Sequence, residues 1–342
     1  MTAPEANTSP DTPRPPSRRG YWLLGTLVVL IVAGWTAYWA IARGMAGDLL
    51  HNAVAVANAE GGALVCGDEA LGGYPFQIRL DCAPLEARDA EGRALALGAL
   101  RAIAMAYNPR HLILEAQAPA RLTLPDALPG GTLALDWTNA RASARVGDTA
   151  LARADIALEG PSASLATGRV EAAHMSVNLR RTPEARENAD LALRLDEARV
   201  PGLTAPLRLF ATATVADGAA LFGGGGDMRA TLSAPDAIRV TQLRVDSETV
   251  SLSAEGTLWL DGQGRLSGEL PLTVTGVDAL PALLAPFFPA GSNVPTALQG
   301  AIAGFGTPTT LDGAPAVTVP LTFRAGTARV GLIPIAALAP LY

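Results

Sequence analysis

Few residues of this 342-residue chain are of a type and spacing that could do chemistry. Two cysteines, Cys66 and Cys82, stand 16 positions apart. In an exported domain an even pair is most simply a disulfide, the alternatives being two free buried thiols or part of a metal site. A metal would need further ligands, and no Cys-x-x-Cys or nearby histidine spacing supplies them. The three histidines, His51, His111 and His174, are far apart in sequence, and no pair has ligand spacing. Gly223 to Gly226 resembles a phosphate cradle only superficially, because it lacks a following lysine and a βαβ setting. A hairpin loop is the simpler reading. The acidic pairs Asp68-Glu69 and Asp196-Glu197 invite comparison with glycosidase carboxylates, but adjacent charges in turns are ordinarily just solvated. Arg180-Arg181 could meet a lipid headgroup or simply end a strand in water. There is no nucleophile elbow, no P-loop and no zincin helix. The expectation is a protein without catalytic residues, cofactor or metal, and not an enzyme.

The elements that would position any site begin with Tyr21 to Ala42, 22 residues without a charge. As a helix this stretch would be about 33 Å long, enough to cross a bilayer core. Tyr21-Trp22 and Tyr38-Trp39 place aromatic rings near both interfaces. Ala40-Ile41-Ala42 also has the small-x-small form of a signal-peptide cleavage site. The length of the run and its three tryptophans favour a retained anchor. Arg14, Arg18 and Arg19 precede it, whereas Arg43 alone follows closely, ahead of Asp48 and Glu60. The positive-inside rule then puts the N-terminus in the cytoplasm and residues 43–342 outside, the periplasm in a bacterial inner-membrane frame. The expected organisation is a disordered tail over 1–20, a transmembrane helix over 21–42, a juxtamembrane helix over 43–62 and a β-rich periplasmic domain over 63–342. Gly61-Gly62 ends the second helix, which could simply continue the first.

Charge excludes one class of partner. Asp and Glu outnumber Arg by 32 to 26, lysine is absent, and the net charge is −6. Nucleic-acid binding needs a basic face. With aromatic content at 5%, stacking platforms for bases or sugars are not expected either. Membrane lipid is the expected partner, through the anchor and as a ligand of an apolar groove.

Beyond residue 62 the chain repeats short alternating runs bounded by turn residues. Ala63 to Cys66 reads as a short strand. After Gly72-Gly73, Phe76, Ile78, Leu80 and Cys82 alternate with Gln77, Arg79 and Asp81, which predicts a strand with one buried face. The disulfide would join these two strands as neighbours, and Pro75 would sit at a strand start or edge. A turn is expected at Asn108-Pro109 and a loop over 125–131. Further runs include Leu133 to Trp137, Met175 to Leu179, Leu191 to Leu195 and Leu207 to Val215. Val250 to Leu260 and Leu266 to Val274 form the clearest hairpin, wet on one face and dry on the other. Asp278 is placed to cap a short helix over Ala279 to Ala285. A second short helix is expected over Thr296 to Ala303, with Pro295 at its start and Gly304 at its end. Val317 to Phe323 and Ala328 to Ile333 would close the chain as a last hairpin.

The fold expected is therefore mainly β: an elongated antiparallel meander, either open groove or closed sandwich, with short C-terminal helices. An N-terminal anchor, a following helix, the segment Gly72-Gly73-Tyr74-Pro75-Phe76 and a strand ending in Cys82 resemble the bacterial envelope family known as domain of unknown function 2125. The resemblance implies no assigned chemistry. More distantly, the late hairpin and Leu-rich helix resemble the C-terminal part of AsmA-like envelope proteins, which implies an apolar groove for lipid. Two functional classes follow: an envelope protein that handles lipid through that groove, or a non-catalytic periplasmic scaffold whose dry faces close on each other.

Overall fold

The computed structural model describes residues 18–59, 61–125, 131–147, 150–165, 168–222, 226–289, 291–331 and 333–341. The glycines at 223–225 and the tail over 1–17 therefore lie outside the described residues.

The chain opens with α1 (Arg18–Ala59), 42 residues long. At 1.5 Å per residue it measures about 63 Å. The two helices expected over 21–42 and 43–62 are thus one. No proline interrupts the run, and its Ala, Leu and Val content supports helix on either side of Arg43. The helix is long and apolar enough to cross a bilayer, and its most apolar window has no residue buried against the rest of the chain.

Strands follow in quick succession: β1 (Ala63–Cys66), β2 (Ala70–Gly72), β3 (Gln77–Cys82), β4 (Leu85–Arg88), β5 (Ala94–Met105) and β6 (Asn108–Thr123). Next come β7 (Thr132–Asp136), β8 (Asn139–Val146), β9 (Leu151–Glu159), β10 (Ser162–Leu165), β11 (Gly168–Glu171), β12 (His174–Arg181), β13 (Ala189–Ala198) and β14 (Leu207–Val215). After α2 (Met228–Ser233), β15 (Ile238–Asp246), β16 (Ser251–Leu260) and β17 (Leu266–Thr275) lead to α3 (Leu280–Leu284) and α4 (Val294–Phe305). The chain closes with β18 (Thr307–Leu311), β19 (Ala314–Arg324), β20 (Thr327–Val330) and β21 (Ile333–Ala337).

All recorded pairings are antiparallel, and the sheet forks at the β5–β6 hairpin. The far ends of these two strands pair with β4 and β7, giving a minor branch β1–β4–β5–β6–β7–β10–β11. Their near halves pair with β3 and β8 and carry the main branch, β2–β3–β5–β6–β8–β9–β12, then strand by strand through β17 to β19, β20 and β21. A bulge between Leu97 and Ala99 marks the fork. Such an irregularity bends a strand enough to serve two sheet directions. The turn expected at Asn108-Pro109 lies one step earlier, at Ala106-Tyr107, with Met105 opposite Asn108.

Directly opposed residues in paired strands share a face. One such row crosses twelve strands: Leu80, Ala102, Leu114, Ala142, Ile156, Val177, Leu193, Ala211, Leu243, Ala254, Leu272 and Val319. Every member is apolar, so the dry face is continuous over about 53 Å of sheet at the usual strand spacing. The other face is polar. Asp81, Arg101, Glu115 and Arg141 oppose one another across four strands, with Arg101 2.6 Å from Asp81 and Arg141 3.5 Å from Glu115.

The main closed core lies at the C-terminal end. Val250, Val274, Leu280, Leu298, Ile302, Val319 and Val330 form one buried cluster, with α3 and α4 laid over the dry face of β16, β17, β19 and β20. Asp278 does not cap α3. The residue ahead of the helix is Ala279, inside a short 3-10 turn, and the Asp278 carboxylate instead accepts from Gln299 of α4 at 3.3 Å. α4 begins at Val294 with Pro295 in its first turn and runs through Gly304 to a cap at Gly306.

Candidate functional site: an open apolar trough and its helix-bound end

Burial divides the dry face in two. From residue 250 onward, several large aliphatic side chains are buried, among them Val250, Leu270, Val274, Leu280, Ile302 and Val319. Before it, Leu97 is the only buried Leu, Ile or Val among the described residues, and the remaining buried apolar residues there are alanines and Cys82. In the middle of the row Ile156 is 41% exposed, as is Leu191, two residues along β13 on the same face, a value for side chains that stand on a face without a lid. From β3 to β15 the dry face is therefore a trough. The minor branch leans over part of it. Leu135, Ala163 and Val170 from that branch, with Leu158, Met175 and Leu195 of the main branch, line an almost wholly apolar cavity of about 350 Å³. That size lies at the lower end of the range for small-molecule sites.

The polar face also has hollows, but its charges are mutually paired. Asp190 accepts from Thr182 Oγ1 at 2.7 Å, Thr214 Oγ1 at 3.0 Å and Arg180 Nε at 3.2 Å. Partial burial opposes its charge, yet these donors outweigh burial and hold the carboxyl below its ordinary range. Asp155 is held low chiefly by Arg153, against some burial, with Asn178 assisting.

The other distinctive feature is where the sheet meets α1. The β2–β3 hairpin lies along the helix and points its tip back toward the helix N-terminus. His51 of α1 comes within 3.9 Å of Glu69, Gly47 lies against Leu71, and Arg43 donates to the Leu71 carbonyl at 3.2 Å. Further back, Trp39 Nε1 donates to the Gln77 carbonyl and Trp35 Nε1 to the Pro75 carbonyl, both at 2.7 Å. The Tyr38 hydroxyl donates to the Ala106 carbonyl at 2.6 Å, and Thr36 Oγ1 lies 2.9 Å from the Tyr74 hydroxyl. Trp39 meets Tyr74 edge to face at 5.3 Å, and Trp35 lies 6.1 Å from Phe76. The hairpin can turn this tightly because Gly73 has φ +105°, where a Cβ would sit 2.6 Å from the Gln77 carbonyl oxygen.

The residues singled out in the sequence thus fall in three places. Gly72, Gly73, Tyr74, Pro75 and Phe76 form the tip on α1. Phe76 does not join the dry face as the alternation predicts. The strand starts one residue later, and the preceding turn, closed by Gln77 N–H to the Gly73 carbonyl, leaves Phe76 60% exposed beside Trp35. Cys66 and Cys82 are bonded, with Cα atoms 4.9 Å apart. They do not join paired neighbours: β1 pairs with β4, so the bond ties the minor branch to β3 of the main branch at the fork. Pairing shifts from β3 to β4 along β5 because Ala83-Pro84 interrupts the strand, proline having no amide to donate. The histidines stay apart: His111 bonds Ser143 at 2.9 Å and His174 bonds Glu159 at 3.0 Å. Among the described residues no cluster of three or more His, Cys, Asp or Glu has the geometry to hold a metal. Asp68 and Glu197 have positive φ, so their pairs sit at kinks in the chain. Arg180 pairs with Asp190, and Arg181 donates to the Leu151 carbonyl. Of the helix partners, Tyr38 and Trp39 read in the sequence as interfacial aromatics and Trp35 as part of the apolar run, none as a partner of the hairpin. Aromatic rings at the end of an apolar run were visible there, but their indole and phenol donors had no foreseeable acceptor.

These features define a class: a single long apolar N-terminal helix joined to an antiparallel β-trough that carries a disulfide at its fork. The chain belongs to a family described as an uncharacterized protein conserved in bacteria, DUF2125, whose family model matches residues 39–339. That match starts at Trp39, so it takes in the C-terminal half of α1 with the tip and trough. No curated protein and no solved structure matches the chain. The likeness to AsmA-like proteins rests on strand and helix pattern alone.

Proposed function

We propose that this is a single-pass inner-membrane protein whose trough, on the periplasmic side, binds the acyl chains of a membrane lipid, in lipid transfer or envelope biogenesis. The observation that carries the reading is the half-exposure of Ile156 and Leu191, on neighbouring rows of a dry face that a closed core would have buried. Water is a poor cover for a continuous apolar strip of this length, and soluble monomers rarely expose one. Acyl chains supply the missing layer without needing hydrogen bonds. The arginine-rich N-terminal flank and the disulfide support the compartment, since disulfides persist outside the cytosol. Binding, not catalysis, is the proposed role, with no cofactor and no nucleic acid.

Mass spectrometry of organic extracts from the purified full chain tests this. Stoichiometric phospholipid or another acyl lipid, lost on Ile156→Asn with Leu191→Asn, is the expected result. Extracts without lipid above a control membrane protein would refute it and leave the scaffold reading.

A further inference from the structure

The β2–β3 tip lies beside a part of α1 that a bilayer would surround. Trp35, which binds the tip, comes seven residues before Ala42, the end of the charge-free run, or about 10 Å back along the helix axis. Next to this tip is a second, the β5–β6 turn, held by Ala106 N–H donating to the Phe76 carbonyl at 2.8 Å. Both tips are free of charge: residues 72–78 read Gly-Gly-Tyr-Pro-Phe-Gln-Ile, and residues 102–109 read Ala-Ile-Ala-Met-Ala-Tyr-Asn-Pro. Both carry outward aromatic rings, with Tyr74, Phe76 and Tyr107 exposed by 51, 60 and 69%. Charges resume beyond the tips, with Arg79 on β3 paired to Asp81 at 3.0 Å, Arg110 on β6, and Arg43 of the helix donating to the Leu71 carbonyl.

Backbone at turns normally shows its carbonyls to water. Inside a bilayer those groups must find partners within the protein. Here the carbonyls of Pro75, Gln77 and Ala106 each accept from Trp35, Trp39 or Tyr38 of α1. The same bonds satisfy the indole and phenol donors, which would otherwise also be stranded in hydrocarbon. Charge-free tips with exposed aromatic rings, followed along each strand by the first charged residues, are what a segment dipping from the interface into the leaflet uses.

We infer that the two tips, residues 72–78 and 102–109, are seated in the outer leaflet of the membrane that α1 crosses, with Tyr74, Phe76 and Tyr107 in contact with lipid. This inference rests on the reading of α1 as a retained anchor, and not on the trough having a lipid cargo. Ile78 and Leu80 rise from the seated tip as the first side chains of the dry face, opposite Ala104 and Ala102. The trough therefore starts in the leaflet without a polar step between membrane and sheet.

The test uses the full chain with single added cysteines at Leu30, Phe76, Tyr107 and Thr310, the native disulfide intact. Each is nitroxide-labelled and reconstituted in phosphatidylethanolamine–phosphatidylglycerol vesicles. Collision with oxygen, which concentrates in lipid, is compared with collision with a water-soluble nickel chelate. Leu30 reports the helix interior and Thr310 an exposed strand far from α1 in sequence. The expected result is an oxygen-to-nickel ratio at positions 76 and 107 severalfold above that at Thr310 and approaching that at Leu30. Ratios at 76 and 107 equal to Thr310, with Leu30 protected, would overturn the inference while leaving the anchor in place. An aqueous ratio at Leu30 as well would remove the anchor reading and the inference with it. Because Phe76 and Tyr107 are both mostly exposed, neither change disturbs a packed core. Protection at both tips together with lipid-free extracts would keep the membrane seat and dismiss the cargo.

Discussion

Replacing one leucine of the helix-covered core and one of the open dry face separates a trough from a closed core. Leu280 of α3, packed over the C-terminal part of the dry face, is 2% exposed. Truncation to alanine there removes buried methyl groups and leaves a void, a combination that costs about 3–5 kcal/mol in well-packed cores. Leu191 lies 41% exposed on the open part of that face. Its truncation forfeits only part of the transfer term, and solvent, detergent or an acyl chain fills the space. The cost there should be about 1 kcal/mol. The assay is urea unfolding of the detergent-solubilised full chain, followed by tryptophan fluorescence, with midpoints compared at unchanged slope. Leu280→Ala should move the midpoint severalfold further than Leu191→Ala. Equal shifts would mean that the middle of the sheet is covered by protein, and the trough would be refuted.

Four further outcomes can be checked. Thiol alkylation without reductant should leave Cys66 and Cys82 unmodified, and Cys82→Ser should destabilise by about 3 kcal/mol on the loop-entropy estimate, read as a lower urea midpoint. Gly276→Ala should cost on the order of 1–3 kcal/mol, since φ is +63° and a Cβ would lie 1.9 Å from the Thr249 carbonyl oxygen; thermal unfolding measures it. Asp155 and Asp190 have carboxyl groups held low in the folded state, so the stability they contribute is complete above the unfolded value near 4 and is lost as pH falls toward their folded values. Asp190→Asn should accordingly flatten the loss of stability below about pH 4 in acid titrations followed by circular dichroism. A reporter joined to the C-terminus should be active only when it matures in the oxidising compartment, and cytoplasmic activity would reverse the topology.

Much of this architecture was legible because a strand with one wet and one dry face writes itself as alternation. Val177, Leu193 and Leu272 all belong to runs readable without coordinates. What covers the dry face was not legible: Leu191 and Leu270 occupy the same kind of position in the same kind of run, yet one stands half exposed and the other is buried. The difference is set by α3 and α4, whose Leu280, Leu298 and Ile302 pack with Val250, Val274, Val319 and Val330 in one buried cluster, α4 meeting β19, β20 and β21. Cys66 and Cys82 announced their bond by number and compartment. That β1 would pair with β4 depended on a fork at Leu97 to Ala99, and a bulge leaves little trace in composition. Phe76 misled because alternation was extended one residue into a turn. Tyr38 and Trp39 looked like a membrane-interface belt, and nothing local told that their donors, with that of Trp35, hold the tip of a hairpin.

The position of the core has a consequence for how the protein is made. Translation runs from α1 toward Ala337, so the long helix and fifteen described strands emerge before the residues that build the main packed cluster. An antiparallel sheet with one apolar face and no lid is an aggregation hazard while its last strand is an unpaired edge. Until β16 to β20 and their two helices arrive, that edge advances strand by strand with no terminal cap. The nascent sheet is thus dependent on the membrane, or on a holding chaperone, for the longest part of its synthesis, and truncations ahead of Val250 should be degraded and not accumulate as folded fragments.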